Sequence, residues 1–179
     1  MKVLAFAGSL RKGSYNKQLI RAVAALSKNV DFEIVDLTDL KIPLLNEDDE
    51  KAFGVPDGAK KLAEKIVTAN ALVVSSPEYN GSITGVTKNT IDWLSRLKPV
   101  PLAGKPLLLL AASPGALGGV RTLWHTRVPF EVVGTFVYPE MFGLPAAHMA
   151  FDGDTLKDEK TNLRLQTLLN KFYEHAQKF

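Results

Sequence analysis

A chain of 179 residues, 46% hydrophobic and 23% charged, has the composition of a soluble globular protein with enough apolar material for a sizeable core. Its net charge of +3 and pI near 9.0 are mildly basic, with no Lys/Arg block or interleaved aromatics, which sets nucleic acid aside as a partner. The absence of cysteine excludes disulfides, thiolate catalysis, iron–sulfur clusters and cysteine zinc sites; no run approaches the roughly 18 apolar residues of a membrane span, and the short apolar opening is no export signal, so the cytoplasm is the expected compartment.

Lys2–Ala7 opens the chain as a short apolar run suited to a strand buried on both faces. A polar loop over Gly8–Asn16 leads into helical spacing, starting near Tyr15 and carrying Leu19, Val23 and Leu26. Phe32–Val35 reads as a second strand. Lys41–Asp57 reads as a long irregular connection, with Glu47-Asp48-Asp49-Glu50 as a solvated loop rather than a cation site. A helix over about Gly58–Ala69 carries Leu62 and Ile66, and the strand Ala71–Ser76 follows. Helical spacing returns from about Gly85 to Leu97 with Ile91, Leu94 and Leu97, before the strand Leu107–Ala112. The next helix, Gly119–Val133, contains Pro129, which removes a ladder bond and predicts a bent helix or two short ones. Thr135–Tyr138 is the last strand expected. Asn162–Gln177 closes the pattern with an apolar stripe of Leu165, Leu168, Leu169, Phe172 and Ala176.

Alternating strands and helices predict an α/β protein with a mostly parallel sheet, and right-handed crossovers place helices on both of its faces. Five strands favour the order 2-1-3-4-5, a flavodoxin-like three-layer α/β/α sandwich. No repeat, linker or low-complexity tract divides the chain, so residues 1–179 are expected to form a single domain.

In such a sheet ligands bind outside the carboxyl ends of the strands, and three loops leave those ends. The first holds Ser9, Arg11, Ser14 and Asn16. It lacks the Gly-Lys-Ser/Thr ending of a Walker A loop and the spacing of Gly-x-Gly-x-x-Gly, and it reads either as a terminal-phosphate pocket or as a polar turn with a serine cap. The second, Pro77-Glu78-Tyr79-Asn80-Gly81-Ser82, offers an aromatic and backbone N–H groups to a flat heterocycle, or is simply a polar turn. Glu78 there reads as a cap for nearby N–H groups rather than as an acid–base catalyst. The third, Ser113–Gly119, carries Gly115, Gly118 and Gly119, which permit either close approach to a ligand or a tight turn into the next helix. His125, His148 and His175 show no metal-ligand spacing, His125 reads as structural or surface, and no Gly-x-Ser-x-Gly elbow occurs. A site with no evident nucleophile, acid or metal fits chemistry carried by a cofactor.

Three motifs together resemble the NADPH-dependent FMN reductase family, the flavodoxin-like enzymes that include quinone, azo and chromate reductases. They are Gly8-Ser-Leu-Arg-x-x-Ser-x-Asn16, then Pro77-Glu-Tyr-Asn-x-Ser-x-x-Gly85 with Lys88-Asn89 and Ile91-Asp92-Trp93, then Ser113-Pro-Gly-x-x-Gly-Gly-x-Arg121. The resemblance implies that Ser9, Arg11, Ser14 and Asn16 meet the FMN phosphate. It implies that Pro77, Glu78, Tyr79 and Asn80 line the ribityl chain and isoalloxazine edge, and that Ser113, Gly115, Gly118 and Gly119 close around the other side of the ring. The activity implied is transfer of hydride from NADPH or NADH through FMN to quinones, free flavin, chromate, azo compounds or other small acceptors, by a ping-pong mechanism and with no catalytic side chain. A homodimer or homotetramer is implied as well, with Trp124, Arg121 and Glu140 as interface residues. Two departures stand out: Thr87 occupies a position where the family usually has leucine, and Pro129 interrupts a helix that normally lacks proline. A flavodoxin-type electron carrier is the alternative, disfavoured by the basic charge. A phosphoester- or nucleoside-processing enzyme would need a nucleophile or base at a strand tip, where only Glu78 stands.

Overall fold

In a computed structural model describing all 179 residues, the apolar runs form strands and the amphipathic stretches form helices. In chain order the first half comprises β1 (Lys2–Ala7), α1 (Tyr15–Leu26), β2 (Asp31–Val35), α2 (Leu37–Leu40), α3 (Glu47–Phe53), α4 (Asp57–Thr68), β3 (Ala71–Ser75) and α5 (Gly85–Ser95). The second comprises β4 (Pro106–Ala112), α6 (Val120–Val132), β5 (Phe136–Val137), β6 (Phe142–Leu144), α7 (Ala147–Ala150), β7 (Phe151–Asp152), β8 (Thr155–Leu156) and α8 (Glu159–Ala176). The main sheet is parallel in the order β2-β1-β3-β4-β5, as the alternation requires.

Side chains of a strand alternate between its faces, and each central strand feeds two cores. Val3, Ala5, Ala7, Val73, Leu108 and Leu110 pack under α1 and α8 with Leu19, Val23, Leu165 and Phe172. Leu4, Phe6, Leu72, Val74, Leu107 and Leu109 face the other way, under α4, α5 and α6 with Leu62, Ile66, Ile91, Leu94 and Phe130. Every residue of β3 and β4 is buried, and at about 1.5–3 kcal/mol for each large apolar side chain this double-sided burial supplies the main driving force.

Two expectations are corrected and one is narrowed. The acidic run is not a loop but the first turn of α3, where Asn46 Oδ1 accepts from the Asp48 N–H at 3.0 Å and four carboxylates meet the positive end of the helix. That helix buries no residue, so it leaves no apolar periodicity to read. Of the two forms expected around Pro129, two short helices are ruled out: α6 runs continuously from Val120 to Val132, with Thr122, Leu123, Thr126 and Phe130 buried. The last strand position is filled by two pieces. β5 pairs with the start of β4 and β6 with its end, Leu110 opposite Phe142. Between them the chain leaves the sheet at Pro139, and Arg127 donates to the Val137 and Tyr138 carbonyls at 3.1 and 3.2 Å. A small β7–β8 hairpin, which has no counterpart among the expected strands, precedes α8.

Candidate functional site

The loops after β1, β3 and β4 leave the same edge of the sheet, and side chains bond them together in pairs. The first, residues 8–14, begins with the Gly8 N–H donating to the Ser75 carbonyl at 2.9 Å and ends with Ser14 capping α1, its Oγ accepting from the Lys17 N–H at 3.5 Å. Ser9 Oγ accepts from the Arg11 N–H at 3.4 Å. The N–H groups of Ser9, Leu10, Lys12, Gly13, Tyr15 and Asn16 have no partner within the chain. The Arg11 guanidinium forms no ion pair and rests 5.4 Å from the centroid of the Tyr15 ring. Six free donors, a helix N-terminus and an uncommitted cation make a cradle for an anion.

Asn16 takes a different part from Ser9, Arg11 and Ser14. Its Oδ1 accepts from the Ala112 N–H at 2.9 Å and from Ser75 Oγ at 2.7 Å, while its Nδ2 donates to the Ala112 carbonyl at 2.9 Å. Only 3% exposed, this side chain braces the start of α1 against the ends of β3 and β4. Beside it, Lys17 Nζ lies 2.8 and 2.7 Å from the two carboxylate oxygens of Asp36. Burial alone would raise the Asp36 carboxyl, but the hydrogen bonds from Lys17 and Thr38 outweigh it and hold the group below the usual aspartate range. The stability this bond contributes is present at neutral pH and lost as pH falls through the lowered folded-state value.

In the second loop Asn80 and Gly81 take φ of 50° and 75°, the left-handed pair of a type I′ turn. Tyr79 and Ser82 close that turn with reciprocal backbone bonds of 3.1 and 3.0 Å. It holds Tyr79 at 55% exposure and leaves the Asn80 and Gly81 N–H groups free. Pro77 is buried at its base. Glu78 turns away to α6: one carboxylate oxygen accepts from Arg121 at 2.6 and 2.7 Å, the other from the Arg121 and Thr122 N–H groups at 3.2 and 3.4 Å. It is a cap on a helix that otherwise starts at a glycine. Glu78→Ala is expected to cost about 1–2 kcal/mol by removing a helix cap and its favourable charge, read as a lower urea midpoint at unchanged slope.

The glycines of the third loop divide by role. A Cβ on Gly119 would meet the Ala111 Cβ at 2.8 Å, and one on Gly118 would meet Pro145 N at 2.9 Å. These two are small because the protein's own atoms approach them, backbone at Gly118 and the Ala111 side chain at Gly119. Gly115 is exposed and lies over the Ser113 hydroxyl, which accepts its N–H at 3.2 Å. The loop therefore offers Ser113 and Gly115 to a ligand, while Gly118 and Gly119 seat the loop.

Residues that the sequence reading missed lie under the loops. Thr84 Oγ1 donates to the Gly8 carbonyl at 2.9 Å and joins the first loop to the second; Thr122 Oγ1 donates to the Pro77 carbonyl at 3.0 Å and joins the second to α6. A cluster of threonines near a helix start was the available signal. His125 is exposed, with Nδ1 2.9 Å from Ser82 Oγ. A groove of about 600 Å³ opens there and runs between α5 and α6 past Val128, Pro129 and Val132. Trp124 is 59% exposed rather than core, whereas Arg121 is bound to Glu78, and Glu140 to Lys171 at 3.1 Å.

The model of the NADPH-dependent FMN reductase family matches residues 1–149. The chain belongs to that family. This FMN reductase family member is 39% identical over 173 residues to an NAD(P)H-dependent FMN reductase of Pseudomonas aeruginosa, covering 94% of this chain and 91% of that one. It is 41% identical over 146 residues to the quinone reductase of Escherichia coli strain K12, covering 80% and 77%. Among solved structures, FerB, the flavoenzyme NAD(P)H:(acceptor) oxidoreductase of Paracoccus denitrificans, superposes with a TM-score of 0.86 at 30% identity, over 99% of this chain and 97% of that one. The family is one of FMN-dependent NAD(P)H oxidoreductases, which favours an enzyme over a flavodoxin-type carrier. No helix is long and apolar enough to cross a membrane.

Proposed function

We propose that the chain acts as one FMN-binding unit, an NAD(P)H:acceptor oxidoreductase, with the first loop holding the FMN phosphate. The observation that carries this reading is the run of six unpartnered N–H groups ending at the start of α1 beside the free Arg11 guanidinium. Ser9 and Ser14 complete that cradle, and Asn16 keeps it in place from below. Pro77, Tyr79 and Asn80, with Ser113 and Gly115, border the space for the ring, where free N–H groups of the type I′ turn suit ring carbonyls. Glu78 serves this site through α6 rather than by contact. Bound FMN supplies the hydride chemistry; the protein's part is to orient it and to present donors where negative charge gathers.

Small acceptors, quinones foremost, are proposed on the strength of the quinone reductase relative and the exposed mouth at Tyr79, with NADPH or NADH as the electron donor. A homodimer or homotetramer is proposed on the exposed apolar stripe of α6, Trp124, Val128 and Val132, which flanks the groove.

The test is a visible spectrum of the purified protein reconstituted with FMN, followed by anaerobic addition of NADPH. A flavin spectrum that bleaches promptly supports the oxidoreductase. A bound flavin that NADPH and NADH both leave oxidised returns the chain to an electron carrier, and failure to bind FMN overturns the reading.

A further inference from the structure

Five hydroxyls lie in a row beneath the loops, and the activity as described uses none of them. Ser76, Thr84, Thr87, Thr122 and Thr126 are each no more than 1% exposed. Thr84 and Thr87 are 2.8 Å apart at their Oγ1 atoms, Thr87 and Ser76 3.3 Å, Ser76 and Thr122 3.2 Å, and Thr122 and Thr126 3.4 Å. A buried hydroxyl is costly unless it is bonded, and here each has a partner in a neighbouring hydroxyl or a backbone carbonyl.

The row ends on the Gly8 carbonyl, which accepts from Thr84 Oγ1 at 2.9 Å. A carbonyl cannot donate, and a hydroxyl has a single proton. With the Thr84 proton on Gly8, the bond between the two threonines must run from Thr87 to Thr84. Ser76 is then left to donate to Thr87 or to the Pro77 carbonyl, also at 3.3 Å. Thr87 has a second hold on the same residue: a Cβ on Gly8 would meet Thr87 Oγ1 at 1.8 Å, so the oxygen lies flush against the glycine.

The consequence lies on the far side of the Gly8–Ser9 peptide. Because a trans peptide is planar, its carbonyl and N–H point in opposite directions. Drawing the Gly8 carbonyl inward toward Thr84 turns the Ser9 N–H outward, and that N–H is one of the six without a partner.

We propose that Thr87, acting through Thr84 and Gly8, is a positioning residue that aims the Ser9 N–H at the flavin phosphate. This rests on the reading of the first loop as the phosphate cradle.

The test compares FMN with riboflavin, the same ring without the phosphate, by flavin-fluorescence titration of the wild type, Thr87→Val, Thr87→Ala and Thr87→Ser. Valine keeps the shape of the side chain without its hydroxyl, and alanine removes the hydroxyl without any clash. Both are expected to raise the FMN Kd about tenfold, the loss of one charge-assisted hydrogen bond, and to leave riboflavin within about twofold. Thr87→Ser should restore FMN binding. An unchanged FMN Kd in both hydroxyl-free variants, or equal weakening of FMN and riboflavin, overturns the positioning role, because a purely structural defect does not single out the phosphate. Wild-type protein that binds riboflavin as tightly as FMN would instead overturn the cradle itself.

Discussion

Asn16→Ala is expected to lose at least about 3 kcal/mol of stability, since it strands the Ala112 N–H, the Ala112 carbonyl and the Ser75 hydroxyl, each at about 1–3 kcal/mol when buried and unpaired. For a chain of this size that corresponds to a melting temperature lower by about 6–12 °C. Asn16→Asp should be nearly as damaging at neutral pH, because it sets a carboxylate against the Ala112 carbonyl in place of a donor, and the defect should ease as acid protonates it. Thermal melts followed by circular dichroism decide the matter. An alanine variant that melts with the wild type would show that the three bonds are replaced by water and that the brace is dispensable.

Arg11→Ala should behave in the opposite way. Its side chain is exposed and makes no ion pair, so the melt should hardly move. FMN affinity should fall about 10- to 100-fold, the worth of one charged hydrogen-bonding partner for a phosphate. Wild-type affinity should weaken with added salt, and the variant's less so, because an exposed charge interaction is screened. Turnover per bound flavin should stay near the wild-type value, since the guanidinium would meet the phosphate and not the reacting ring. Unchanged affinity combined with a large drop in turnover would remove Arg11 from the cradle and place it near the chemistry.

The contrast between these two residues marks where reading a sequence stops. Arg11 and Asn16 stand five residues apart in one motif, and both look like phosphate ligands. Local pattern cannot separate them, because what distinguishes Asn16 is a strand end 96 residues along the chain that consumes its amide. The same holds for the glycines of the third loop. Glycine leaves the same trace whether a ligand or the chain's own atoms come close, and only the packing of Gly118 against the Pro145 backbone and of Gly119 against the Ala111 side chain tells them from Gly115.

Strands β1, β3 and β4, the helices α1, α4, α5 and α8, the sheet order and the three-loop edge were legible from the chain alone. Burial on two faces or one writes itself into local composition as an apolar run or a 3.6-residue stripe. The helix α3 was not legible, because it buries nothing and is held by a cap and by Arg96, whose Nε bonds Glu50 at 2.8 Å. Nor was the continuity of α6 across Pro129, where buried Thr126 and Phe130 on either side hold the helix together. Of the hydroxyl row beneath the loops, the sequence showed only threonines near a helix start and not which of them bond one another. Each threonine is ordinary in or just before its own helix, and hydrogen bonding between segments distant in sequence becomes apparent only when the tertiary structure brings those segments together.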